Sequence, residues 1–139
     1  MRKEPVFAGL IALALLTGAC DRSGVGSSAG PGDPGARSAC DAATATDESG
    51  LAVATVAMAD RAFLPGCFIA RSHGQTLRIK NADRTAHTFT VDGTGVDIEL
   101  PAGTDAKVTG HLADVGLSPG TYPFHCRIHP SMTGVLIVR

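Results

Sequence analysis

Tryptophan is absent from this chain of 139 residues, tyrosine occurs once, and aromatics make up only 4% of it. Any core must therefore rest on aliphatic side chains and a few phenylalanines. An excess of one charge is missing too: twelve Lys and Arg stand against thirteen Asp and Glu, a formal net charge of −1. That balance gives no electrostatic case for a nucleic-acid binder, which would show a basic stripe, and no nucleic acid is expected as a partner. Long apolar runs are missing as well. The uncharged run from Val6 to Ala19 is fourteen residues, short of the roughly 20 needed to span a bilayer. No long stretch of helical period occurs, and the length leaves room for one domain plus accessories.

What is present begins with an export signal. Arg2 and Lys3 precede the uncharged run, which has the length of a secretory h-region. Leu16-Thr17-Gly18-Ala19-Cys20 resembles a bacterial lipobox. The resemblance implies a lipoprotein signal peptide over 1–19 and lipidation of Cys20, which would anchor the chain to a membrane. Over residues 20–49 the composition changes abruptly. Nineteen of the thirty residues from Asp21 to Gly50 are Gly, Ala, Ser or Pro, and Val25 is the one large aliphatic. Such a stretch cannot bury enough apolar area to offset its ordering entropy, so it reads as a flexible tether with a span of roughly 30 Å.

Residues 50–139 carry short β-type segments between turn residues. The expected strands are Leu51–Met58, Cys67–Ala70, Thr76–Lys80, His87–Val91, Val96–Leu100, Ala106–Leu112, Gly120–Cys126 and Gly134–Val138. Alternation puts His87, Phe89 and Val91 on one face, and Tyr122, Phe124 and Cys126 on another, with His125 pointing away. The expected fold is an all-β Greek-key β-sandwich of about eight strands.

Chemistry is densest from Tyr122 to Met132. Cys126, His129 and Met132 follow a C-x2-H-x2-M spacing, and His87 lies about forty residues upstream on an apolar strand face. Two imidazoles, one thiolate and one thioether suit copper in both oxidation states, whereas zinc prefers a further Cys, His or carboxylate to a thioether. Alone, Cys126 reads as a buried core thiol, Met132 as core filler and His87 as a hydrogen-bonded core histidine; it is the loop spacing together with the distant inward His that points to a blue-copper site. His73 and His111 read as solvated.

The segment from about Val53 to Val138 resembles a bacterial cupredoxin of the plastocyanin/amicyanin type. The resemblance rests on Phe63-Leu64-Pro65, Gly74-Gln75-Thr76-Leu77, Asn81 six residues before His87, Pro119-Gly120-Thr121-Tyr122, the 126–132 loop, and Met132-Thr133-Gly134-Val135. It implies one copper ion held by His87, Cys126, His129 and Met132 at one end of the sandwich. It also implies an electron-exit surface around His129, Pro130 and Met132. Thr88 stands where plastocyanin and amicyanin have Asn, which puts in question the side-chain bond bracing the ligand loop.

With Cys20 and Cys126 so assigned, Cys40 and Cys67 remain, and a disulfide between them is expected outside the cytoplasm. The alternative is a buried Cys67 beside an unpaired Cys40. The functional expectation is an electron carrier, not an enzyme, that cycles Cu(I)/Cu(II). It would be a monomer meeting redox proteins such as a cytochrome or a membrane oxidase or dehydrogenase, lipid-anchored at the outer face of the cytoplasmic membrane (the periplasmic or extracellular side). The competing expectation is a copper-handling lipoprotein, a chaperone or capture protein, without redox turnover.

Overall fold

The computed structural model describes residues 40–139. The expected signal peptide, the Cys20 anchor and the tether as far as residue 39 lie outside the described residues.

Among the described residues ten strands form, in chain order: β1 Thr46–Asp47, β2 Val53–Ala59, β3 Ala62–Leu64, β4 Cys67–Ala70, β5 Thr76–Asn81, β6 His87–Thr90, β7 Asp97–Leu100, β8 Asp105–Val108, β9 Gly120–His125 and β10 Thr133–Val138. They make two mixed sheets, one in the order β1-β4-β10-β9-β6-β7 and the other β3-β2-β5-β8. Parallel pairing of β4 with β10 and of β2 with β5 stands beside antiparallel hairpins, so the chain crosses between sheets repeatedly. The result is the expected β-sandwich.

Alternation fixes which faces meet. β2 buries Ala54, Val56 and Met58, β5 buries Leu77 and Ile79, and the other sheet answers with Phe68, Phe89, Phe124 and Leu136. Four phenylalanines meet at the centre. The Phe63 ring contacts Phe124 edge-on at 4.8 Å and Phe89 at 5.9 Å, while Phe68 contacts Phe124 at 5.9 Å. Scarce aromatics are thus concentrated where ring contacts add most to burial.

Eight of the strands match expectation to within a few residues, with differences at the edges. Leu112, expected at a strand end, lies in a 3-10 turn over Leu112–Val115, capped by Gly116 at φ 87°. β1 and β3 were not anticipated. The domain also starts before residue 50: β1 pairs with β4, Glu48 N–H donates to Ile69 O at 3.0 Å, and Cys40 is bonded to Cys67. This edge is held by backbone bonds and a covalent bridge, not by apolar burial, so composition does not reveal it.

Candidate metal centre

Cys126 follows β9 directly and Met132 precedes β10, so the ligand loop is the connection of one antiparallel hairpin. Two backbone bonds close it. Cys126 N–H donates to Met132 O at 3.0 Å, and Met132 N–H donates to His129 O at 2.9 Å. A third bond ties the loop to β6, where Arg127 N–H donates to Thr88 Oγ1 at 2.8 Å. Threonine therefore supplies a side-chain brace where the resemblance left one in question.

His87 opens β6 and is placed by the turn before it. The side chain of Asn81, wholly buried at the end of β5, donates to Thr85 O at 2.8 Å, Leu100 O at 2.9 Å and Pro101 O at 3.1 Å. Its Oδ1 accepts from Asp83 N–H at 2.9 Å. One amide thus pins both connections that flank the site, and His87 enters the interior with no exposed area.

The ligand atoms converge. Cys126 Sγ lies 3.8 Å from His87 Nδ1 and 3.7 Å from His129 Nδ1, and all three atoms lie within 4.8 Å of one another. Cys126 is fully buried, Met132 is 1% exposed, and His129 is half-buried. Burial pushes the Cys126 thiol up. The hydrogen bonds to the sulfur, led by the Thr88 N–H donating to Sγ at 3.3 Å, outweigh it, bringing the thiol from 9.0 down to about 6. The sulfur is therefore a thiolate at neutral pH, as a metal ligand must be.

These residues fit copper. Metal–N and metal–S bonds of about 2.0 and 2.3 Å separate N from S by roughly 3.7 Å at a trigonal angle and roughly 3.5 Å at a tetrahedral one. The observed 3.7 and 3.8 Å lie near both, so the three atoms could share one metal ion, and two imidazoles with a thiolate suit copper. His87 Nε2 lies 2.8 Å from Asp83 Oδ2, which leaves Nδ1 free to face the sulfur when Nε2 carries the proton. The Asp83 carboxyl is held below its usual range chiefly by the Arg61 N–H and then the Asp60 N–H. Asp83 was not anticipated from the sequence; the one signal was its place four residues before His87.

Other expected positions sort clearly. His125 turns away from the thiolate, half-buried, with Nδ1 3.7 Å from Asp92. His73 and His111 are exposed, as expected, yet their rings meet at 4.7 Å at the opposite end of the sandwich. Of the expected electron-exit surface, Pro130 is exposed and His129 partly so, whereas Met132 lies buried beneath it. The expected Cys40–Cys67 disulfide is present, with Cα atoms 5.6 Å apart.

The family described as the cupredoxin-like domain matches residues 37–138. Among solved structures, a copper-containing nitrite reductase from Thermus scotoductus is similar at 27% identity and a TM-score of 0.51, covering 64% of this chain. The chain spans only 22% of that enzyme's length. A reduced amicyanin variant is similar at 17% identity and a TM-score of 0.53, over 63% of this chain and 83% of its own. Another amicyanin variant, in the Cu(I) form, matches at 18% identity and a TM-score of 0.51, over 64% of this chain and 84% of its own. No curated protein matches the chain. By the family match, the chain belongs to the cupredoxin-like domains.

Proposed function

We propose that this protein is a one-electron carrier in which His87, Cys126, His129 and Met132 would hold a single copper ion. The observation that carries the reading is the convergence of Cys126 Sγ with two imidazole nitrogens at 3.7 and 3.8 Å in a buried pocket. Copper supplies the Cu(II)/Cu(I) couple when bound, and the chain's own residues do the rest. Thr88 N–H holds the sulfur, the loop bonds hold the backbone that carries Cys126 and His129, and Asp83 holds the His87 ring, so the ligand atoms need to move little when the charge changes. Burial excludes water from Cys126 and His87, while the half-buried His129 offers a ring edge beside exposed Pro130 for electron exchange.

Partners in this reading are redox proteins, such as a cytochrome or a membrane oxidase or dehydrogenase, that meet a monomer in small, weak encounters. In this reading the chain is a carrier and not an enzyme, and the likeness to a nitrite reductase extends over about a fifth of that enzyme. The Cys40–Cys67 bridge suits an oxidising compartment; placement at the outer face of the cytoplasmic membrane, with Cys20 as lipid anchor, rests in this reading on the lipobox resemblance of Leu16–Cys20.

Spectroscopy of the Cu(II)-loaded protein tests the reading. The expected result is intense colour with small copper hyperfine splitting, bleached by a one-electron reductant, restored by an oxidant, and absent from a Cys126→Ser variant. A colourless copper complex overturns it. Rapid surrender of the copper to an acceptor protein or a chelator replaces the carrier with a copper-handling protein.

A further inference from the structure

Behind His87 lies a contact that the ligand set does not require. The β2–β3 hairpin turns on Asp60 and Arg61, both left-handed at φ 51° and 57°, the two-residue turn that suits twisted strands. The turn aims two amides at one side chain. Asp60 N–H donates to Asp83 Oδ1 at 2.8 Å, and Arg61 N–H donates to Asp83 Oδ2 at 3.0 Å. The same Oδ2 is 2.8 Å from His87 Nε2, whose more distant neighbour, Thr85 Oγ1, is at 3.5 Å. Three N–H donors therefore share two oxygens of a carboxylate whose side chain is 16% exposed, beside a ring that is 0% exposed.

Only a carboxylate satisfies that arrangement. Asparagine has one acceptor oxygen, so its NH2 group would face either the Asp60 amide or the imidazole. An NH2 group at Nε2 favours the tautomer with the proton on Nδ1, the nitrogen that faces Cys126. The link also joins the two sheets, since the amides belong to the four-stranded sheet's hairpin and His87 to the six-stranded sheet.

We propose that Asp83 is a positioning residue: it fixes His87 in the Nε2–H tautomer and, as an anion against that ring, biases the metal centre toward Cu(II). The second half rests on the copper reading above. A thiolate and two neutral imidazoles leave a net charge of about +1 around Cu(II) and about zero around Cu(I), so a nearby anion attracts the first state more than the second. Outer partners of metal-bound histidines act in the same direction by raising the ligand's basicity.

The test compares Asp83→Asn and Asp83→Ala with the wild type. In Asp83→Ala, Cu(II) affinity is expected to fall about 10–100-fold, and Cu(I) affinity by at least tenfold less. For a one-electron couple, each tenfold change in the ratio of the two affinities raises the reduction potential by about 59 mV. Asp83→Asn should shift it the same way. Equal loss of both affinities at an unchanged potential is what a merely structural role would give, and it overturns the bias.

Imidazole 15N NMR of the metal-free wild type reads the clamp without relying on any variant's folding. A proton on Nε2 of His87 with Nδ1 bare supports it, and a proton on Nδ1 overturns it. A wild type that binds copper without colour, yet shows the Nε2–H tautomer, overturns the carrier reading and the bias while supporting the clamp.

Discussion

Thr88 donates its backbone N–H to Cys126 Sγ at 3.3 Å, and its hydroxyl takes the amide of the next loop residue, Arg127, at 2.8 Å. One residue thus sets both the electronic surroundings of the sulfur and the position of the loop that carries it. The two roles belong to different atoms, so they separate on mutation. Thr88→Val keeps the shape and the backbone bond but removes the oxygen that Arg127 N–H uses. Thr90 Oγ1 also loses Thr88 Oγ1 at 3.1 Å, while keeping Asp97 at 2.9 Å. We expect a loss of about 1–2 kcal/mol in stability with the copper chromophore intact. Denaturant unfolding and the absorption spectrum check it; a bleached variant of normal stability contradicts the division of roles.

The Cys126 thiol gives the metal-free protein a pH-dependent stability. Its folded value, about 6, lies below the ordinary 9.0. A depressed value means the folded state releases its proton first, so the stabilisation is complete above 9 and is lost as the pH falls through 6. Between those limits stability should rise with pH by up to about 1.4 kcal/mol per unit. Unfolding midpoints of metal-free wild type and Cys126→Ser, measured from pH 6 to 9, isolate this residue. Parallel curves for the two proteins contradict it.

The parts of the fold that were legible in the sequence are those where burial imposes a period. Val56 and Met58, Leu77 and Ile79, and Phe124 and Cys126 each occupy every second residue, and each pair lies in the core. The ligands were legible for another reason: three of them share one short loop, so local spacing carries their geometry. Where tertiary contact alone decides, the sequence was silent. Asp83 acts through amides 22 and 23 residues upstream, and nothing periodic marks it. β1 and β3 are two and three residues long, too short for alternation to register.

The Cys40–Cys67 bridge secures the early edge of the domain, where Thr46 and Asp47 pair with β4 but bury nothing. It closes a separation of 27 residues, which the chain-entropy argument converts to roughly 3–4 kcal/mol. A Cys40→Ala/Cys67→Ala double variant should melt correspondingly lower. Thiol counting gives an independent check: reduction of the denatured, metal-free protein should expose two additional thiols, whatever the state of Cys20. An unchanged count contradicts the bridge.

Gly134 is where the core leaves no room for a side chain. A Cβ there would press into the Phe124 ring and come within 2.7 Å of Gly66 O. Neither neighbour can easily retreat. Phe124 is 1% exposed and wedged among Phe63, Phe68 and Phe89, and Gly66 O accepts the Val135 N–H at 2.9 Å. Overpacking of this kind costs about 1–3 kcal/mol. Phe124 also lies two residues before Cys126 on the same strand, so a displaced ring moves the strand end that carries the thiolate. Gly134→Ala should therefore lower the melting temperature and broaden the copper spectrum together, whereas Gly50→Ala, with nothing within 4 Å of the added carbon, should change neither. A Gly134→Ala protein matching the wild type in both measurements would show that the Phe124 ring has freedom to move.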